Sequence, residues 1–172
     1  MRVLLVGSGG REHAIAWKLA KSKKLKQLYI APGNPGTAQY GQNVAISDTD
    51  IPALVEFAKT NKIELAVIGP EDPLSMGLTD ALEKVGVMVF GPSGAAAQIE
   101  ADKAFAKEIM RANSIPTGES QTFDNFVDAK AYIASRDEAV VVKAAGLAKG
   151  KGVFVCDEPS EAILAAERIM VD

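Results

Sequence analysis

The sequence predicts an α/β protein, with a doubly wound parallel-sheet domain first and an incomplete second α/β domain after it. Three observations carry that expectation. Short apolar runs alternate with helical segments up to about Ser93, and each run stops at Gly or Pro. Those stops bring glycine-rich and polar residues to the carboxyl ends of the strands, where open α/β sheets bind ligands. Beyond Ser93 the rhythm changes to long helical stretches and a glycine- and lysine-rich hairpin.

The elements follow in order. Residues 2–6, RVLLV, end at Gly7 and read as a buried strand. Residues 12–24 form a helix with Ile15, Ala16, Leu19 and Ala20 on one face, and the Lys21–Lys26 cluster complements its C-terminal dipole. Residues 28–31 are the second strand, ended by Pro32-Gly33-Asn34-Pro35-Gly36. Asp50 is a cap and Pro52 a first-turn residue of a helix reaching about Asn61. Residues 65–68 form a strand ended by Gly69-Pro70, residues 74–84 a helix, and residues 87–90 a strand ended by Gly91-Pro92. Residues 95–112 are helical with a break at Asp102, which caps the second half. A helix over 125–135, two strands flanking the Gly/Lys loop and a helix from Ser160 complete the chain. The change of domain falls between Gly91 and Phe123, giving domains of 1–101 and 102–172. The last helix carries no Gly or Asn cap, and its unit would leave an apolar face uncovered, so the expectation is a chain cut from a longer one.

Residues 140–153, VVVKAAGLAKGKGV, are the most distinctive segment. Gly146, Gly150 and Gly152 allow close backbone approach, and Lys143, Lys149 and Lys151 place three ammonium groups beside those amides. Amide donors beside concentrated positive charge suit a polyphosphate. The segment is not a P-loop: three residues separate Gly146 from Gly150, and Gly152 follows Lys151 where a hydroxyl would bind magnesium. The readings are a hairpin folding over phosphates or a solvated Gly/Lys turn.

The loop Gly7-Ser8-Gly9-Gly10-Arg11-Glu12 sits where a dinucleotide fingerprint would, but Glu12 replaces the third glycine and no acidic residue ends the second strand. A nicotinamide dehydrogenase is therefore disfavoured. The loop is either a holder for one phosphate group or a tight turn that binds nothing. Glu71 and Asp72 either accept hydrogen bonds from a ligand's amine or hydroxyls or favour the following helix through its dipole.

Composition narrows the function. A hydrophobic fraction of 48%, a charged fraction of 24% and a net charge of −3 are those of a soluble globular protein, not of a general nucleic-acid or membrane-surface binder. The single cysteine, Cys156, excludes a disulfide framework and a thiolate cluster and reads as a buried hydrophobe. The single histidine, His13, excludes a histidine-based triad within this chain and reads as structural. The N-terminus opens directly on a strand, and no run approaches membrane-spanning length, so a cytoplasmic protein is expected.

With these residues in view, GSGGREH (7–13), APGNPGT (31–37), GPEDPL (69–74), FGP (90–92), KAFAK (103–107), IPT (115–117) and residues 142–153 together resemble the phosphoribosylamine–glycine ligase family, also called glycinamide ribonucleotide synthetase, of the ATP-grasp ligases. The resemblance runs through all 172 residues. It implies a Rossmann-like pre-ATP-grasp domain followed by part of an ATP-grasp domain. It also implies an ATP-dependent ligase of purine biosynthesis that joins glycine to 5-phosphoribosylamine through glycyl phosphate, with Mg2+ or Mn2+. Lys103, Lys143, Gly146, Lys149, Gly150, Lys151 and Gly152 are the implied ATP contacts. Gly9, Gly10, Arg11, Glu12, Gly33, Asn34, Glu71 and Asp72 are the implied sugar-phosphate contacts. No catalytic side chain is assigned, and the metal ligands, adenine pocket and glycine site are expected beyond residue 172, so the chain alone is expected to be inactive. Asp102 stands where the family often has Ser, Ala145 where it often has Asp, and Lys149 where it has a small residue. The last two make the loop more positive. The competing readings are another ATP-grasp enzyme, such as a biotin-type or aminoimidazole ribonucleotide carboxylase, and a non-catalytic phosphosugar or nucleotide-binding module.

Overall fold

A computed structural model describes every residue except Ala139, Lys149, Gly150 and Asp172. It divides into two compact units, Met1–Gln98 and Ile99–Asp172.

The first unit is built on a five-stranded sheet: β1 (Arg2–Gly7), β2 (Gln27–Pro32), β3 (Gln42–Asn43), β4 (Leu65–Ile68) and β5 (Met88–Phe90). Their spatial order is β3-β2-β1-β4-β5, and every pairing is parallel. Parallel strands need crossovers, and the helices that make them bury both faces of the sheet. Strand β1 shows the result. Leu4 and Val6 point into one core with Leu54, Ala58, Leu74, Leu78 and Leu82, while Val3 and Leu5 point into another with Ala16, Leu28 and Ile30. Helix α1 (Gly10–Ala20) therefore covers one face, and α2 (Ile51–Thr60), α3 (Glu71–Ser75) and α4 (Leu78–Glu83) cover the other. The register pairs Gly7 with Pro32 and Val6 with both Ala31 and Ile68, so the loops after β1, β2 and β4 leave the sheet at one edge.

Two helices differ from expectation. The helix expected over 12–24 starts earlier, at Gly10, and ends at Ala20. Turn hydrogen bonds from Ser22 to Leu19 and from Leu25 to Ser22 bend the chain back, and Lys26 then donates to the Met1 carbonyl to begin β2. The helix expected over 74–84 begins earlier, at Glu71, and is broken between α3 and α4. The break falls at Gly77, whose φ of +82° is a left-handed conformation that a helix interior does not accept. The two-residue strand β3 is too short to leave a periodic signal.

The second unit contains α6 (Lys103–Ala112), α7 (Phe126–Ala134), the antiparallel strands β6 (Val140–Lys143) and β7 (Val153–Cys156), and α8 (Pro159–Met170); α5 (Gly94–Ala101) precedes them. Asp102 caps α6 by accepting from the amides of Ala104 and Phe105, and Asn125 caps α7 by accepting from Asp128. Val140, Val142, Phe154 and Cys156 face inward with Ile133, Ala162, Ala165 and Ala166. Val141, Lys143, Val153 and Val155 are exposed on the alternate positions.

Candidate functional site

The carboxyl edge of the first sheet gathers most of the sequence-predicted sugar-phosphate residues. Glu12 is the least expected of them. Its side chain turns inward and is 2% exposed. Its Oε2 accepts from the Gly9 amide at 2.6 Å, and its methylene and carboxylate occupy the space that the missing Cβ atoms of Gly7 and Gly69 leave open. These glycines end β1 and follow β4, the two strands that flank the point where the strand order reverses. In a dinucleotide fingerprint, glycine at the position of Glu12 packs helix against sheet. Here a carboxylate fills that crevice and accepts from the amide of Gly9, the residue that caps α1, so the chain's own anion sits at the helix terminus. Glu12 Oε1 lacks a hydrogen-bond partner among the described residues and lies 3.9 Å from Arg11 Nε.

Arg11 reaches across the edge to Glu71, 3.4 Å from its carboxylate, joining the first turns of α1 and α3. Glu71 and Asp72 both lie in the first turn of α3, where negative charge complements the helix dipole. Gly33 has φ +73°, and a Cβ there would collide with the Asn43 carboxamide, so glycine is required twice over. Its amide donates to the Gly7 carbonyl at 3.2 Å and ties the β2 loop to the β1 loop. Asn34 crosses between the same loops, its Nδ2 donating to the carbonyls of Ser8 at 2.8 Å and Gly9 at 3.3 Å. Gly9, Gly10 and Arg11 remain exposed at the rim.

Two residues at this edge have roles that sequence reasoning missed. Thr37, fully buried, and Asn43 hydrogen-bond each other and the backbone of Asn34. His13, read from the sequence only as structural, packs its ring 5.6 Å from that of Tyr40 and lies where a Cβ on Gly36 would fall. The Asn-Pro-Gly-Thr run signals an Asx-type turn and could have flagged Thr37. Nothing local could have flagged Asn43.

The predicted ATP contacts lie in the second unit. Lys103, the first residue of α6, donates from Nζ to the Gly146 carbonyl at 2.8 Å and from its amide to the Ala145 carbonyl at 2.9 Å. Two residues far apart in sequence are thereby brought together. Lys143 and Lys151 are exposed, and a Cβ on Gly146 would meet no atom within 4 Å, which leaves that stretch of backbone open to a ligand. Gly152 is different. It is buried, and a Cβ there would press on Ala148 and Ala144 at 2.6 and 2.9 Å, so its role is closing the loop. Lys149 and Gly150 lie outside the described residues. The donor set of ammonium groups and open amides fits an anionic polyphosphate. It does not fit a metal ion, and among the described residues no group of three or more His, Cys, Asp or Glu side chains gathers.

Comparison with known proteins gives the family. The family model for the phosphoribosylglycinamide synthetase N domain matches residues 1–100, and that for the ATP-grasp (A) domain of the same synthetase matches residues 101–172. The chain belongs to the phosphoribosylglycinamide synthetase family. A phosphoribosylamine–glycine ligase from Halalkalibacterium halodurans is 49% identical over 99% of this chain and 40% of its own length. The chain thus spans about two-fifths of that relative. The crystal structure of phosphoribosylamine–glycine ligase from Thermotoga maritima superposes with a TM-score of 0.75 at 32% identity, covering 95% of this chain and 38% of that one. The biotin carboxylase domain of Hydrogenobacter thermophilus 2-oxoglutarate carboxylase has a TM-score of 0.76 at 17% identity, covering 98% of this chain and 42% of that one, a likeness of fold alone. Among the described residues no helix is long and apolar enough to cross a membrane.

Proposed function

We propose that this chain serves an ATP-dependent ligation of glycine to 5-phosphoribosylamine that yields glycinamide ribonucleotide in purine biosynthesis. The observation that carries the reading is the match of one synthetase family along the whole chain, in the same order as its two compact units. In this reading residues 1–101 form the pre-ATP-grasp domain and residues 102–172 belong to the ATP-grasp domain. ATP is the phosphoryl donor that makes the glycine carboxylate electrophilic as glycyl phosphate, which the amine of phosphoribosylamine then captures. A divalent cation, Mg2+ or Mn2+, accompanies it.

Each unit has a part. Arg11, Gly9, Gly10, Gly33, Glu71 and Asp72 line the edge that receives the sugar phosphate, with Glu12 and Asn34 beneath and between its loops. Lys103, Lys143, Lys151 and the backbone at Gly146 hold ATP phosphates, Gly152 sets the loop that carries them, and Lys149 and Gly150 complete the set that the resemblance implies. Cations there would offset the charge of the transferring phosphoryl group. The partners are small molecules, not nucleic acid or membrane, and the location is cytoplasmic.

Calorimetric titration of the 172-residue chain with glycinamide ribonucleotide tests the substrate assignment. Saturable binding is expected, weakened about tenfold by Arg11→Ala, which removes a charge-assisted contact. Absence of binding by the folded wild-type chain would overturn it.

A further inference from the structure

The carboxamide of Asn34 has no hydrogen-bonding capacity left for a ligand. A carboxamide offers two N–H donors and two acceptor lone pairs. Oδ1 accepts from the amides of Gly36 at 2.7 Å and Thr37 at 3.0 Å, and Nδ2 donates to the carbonyls of Ser8 and Gly9 at 2.8 and 3.3 Å. The partners also fix its orientation, since exchanging O and N would set N–H against N–H on one side and oxygen against carbonyls on the other.

The backbone of Asn34 is held as firmly. Its amide donates to Thr37 Oγ1 at 2.8 Å, and its carbonyl accepts from Asn43 Nδ2 at 2.8 Å. The Thr37 hydroxyl has one proton and two acceptors within 2.8 Å, the Asn34 carbonyl and Asn43 Oδ1. Asn43 is anchored in turn by strand β3, where it pairs with Ile30, and Gly33 leaves room for its carboxamide. A continuous path of hydrogen bonds therefore runs from β3 through Asn43, Thr37 and Asn34 to Ser8 and Gly9, which lead into α1.

We infer that Asn34, Thr37 and Asn43 form a clasp that positions the loop of Ser8 and Gly9 for the sugar-phosphate ligand, and that Asn34 acts through that loop without touching the ligand. All three are positioning residues. The inference rests on the proposed sugar-phosphate role of this edge. It adds Thr37 and Asn43 to the residues on which recognition depends, and it assigns the reading of the ligand to the exposed rim residues Gly10 and Arg11.

Two measurements on the 172-residue chain test it, each with a thermal melt as a control for folding. The first is calorimetric binding of glycinamide ribonucleotide to wild type, Asn34→Asp, Thr37→Val and Thr37→Ser. Asn34→Asp sets carboxylate oxygen against the Ser8 and Gly9 carbonyls, and Thr37→Val removes the buried hydroxyl at nearly constant shape. Each is expected to weaken binding about tenfold, while Thr37→Ser returns it to within about threefold of wild type. Asn34→Asp binding as tightly as wild type or tighter would overturn the clasp, because a direct contact to the ligand's amine would be kept or strengthened by a carboxylate. Thr37→Val binding like wild type would overturn it as well.

The second measurement needs no ligand. The NMR amide signals of Ser8, Gly9 and Gly10 are expected to move in Thr37→Val and return in Thr37→Ser. Signals unmoved by Thr37→Val overturn the clasp even if the wild type binds nothing. Signals that move while the wild type fails to bind overturn the substrate assignment instead.

Discussion

The two sheets of this chain solve the same problem to different extents. In the first unit β1 is covered on both faces, with Leu4 and Val6 on one side and Val3 and Leu5 on the other, all at most 3% exposed. In the second unit β6 and β7 are covered on one face by α7 and α8, while Val141, Val153 and Val155 remain 47–78% exposed on the other. A two-stranded sheet gains stability only from what packs on it, whereas five parallel strands bring their own helical cover. The proposed sugar-phosphate edge is thus built on a rigid platform, and the proposed phosphate loop on a thinner one. A site that must receive a sugar phosphate in one geometry gains from the first. The chain spans about two-fifths of its Halalkalibacterium halodurans relative, and the open face of β6 and β7 is a property of this 172-residue stretch.

The largest test of this contrast is core truncation. Leu54 is wholly buried in the first unit, and Leu54→Ala is expected to cost about 3 kcal/mol through lost burial and the cavity left behind. Val155→Ala, at a side chain 78% exposed, is expected to cost less than about 0.5 kcal/mol. Urea unfolding followed by circular dichroism measures both. Equal losses would mean that Val155 is as well covered as the core of the first unit, and the contrast would fall.

A finer test uses one reporter per unit. The only tryptophan, Trp17, lies in the first unit and the only cysteine, Cys156, in the second. Cys156 is 4% exposed, so its labelling requires opening of its core, and burial, then the nearby carboxylates of Glu161 and Asp157, push its thiol above the ordinary pKa. Asn125 caps α7, which packs in that core, and Asn125→Ala is expected to cost about 1 kcal/mol and speed Cys156 labelling about fivefold. Asp50 caps α2, and Asp50→Ala is expected to cost the same but to appear in the Trp17 fluorescence transition. Labelling of Cys156 accelerated equally by Asp50→Ala would show one cooperative core where the contrast requires two.

Much of this was legible in the sequence because it is local. Asp50, Asp102 and Asn125 each stand just before a helical run and accept from amides two or three residues ahead, so the caps could be read in advance for the first two and within one residue for the third. The strand ends were legible for the same reason, since Gly7, Gly69 and Gly91 interrupt apolar runs. The family resemblance, carried by short ordered motifs, held along the whole chain. Gly77 gives no clear signal in the sequence because one glycine in a helical pattern is usually tolerated, and only its left-handed backbone marks the break. In the sequence Glu12 reads as the residue that spoils a fingerprint and, by resemblance, as a sugar-phosphate contact. That its carboxylate occupies the spaces beside Gly7 and Gly69 depends on the pairing of β1 with β4, which spacing does not reveal. Asn43 was invisible because its partners, Asn34 and Thr37, meet it only once β3 pairs with β2.

The smallest expected effect concerns surface charge, and it asks whether the sturdiness of the first unit owes anything to ion pairs. On α2 the Lys59 ammonium donates to Glu56 at 2.8 Å. That hydrogen bond first, and the lysine's charge second, hold the Glu56 carboxyl below its ordinary pKa. A carboxyl depressed in the folded state adds stability above its unfolded pKa and loses it as pH falls through the folded value. The window is therefore acidic, and neutral pH lies on the stabilised side. Glu56 is 67% exposed, however, so water and salt screen the pair and little of the shift reaches folding. Lys59→Ala is expected to return the Glu56 pKa toward the ordinary carboxylate range in an NMR titration, while the Trp17 unfolding midpoint at pH 7 stays unchanged. A midpoint that fell with the loss of Lys59, and fell equally when salt was added to the wild type, would move the source of the first unit's stability from its two-faced core to its surface.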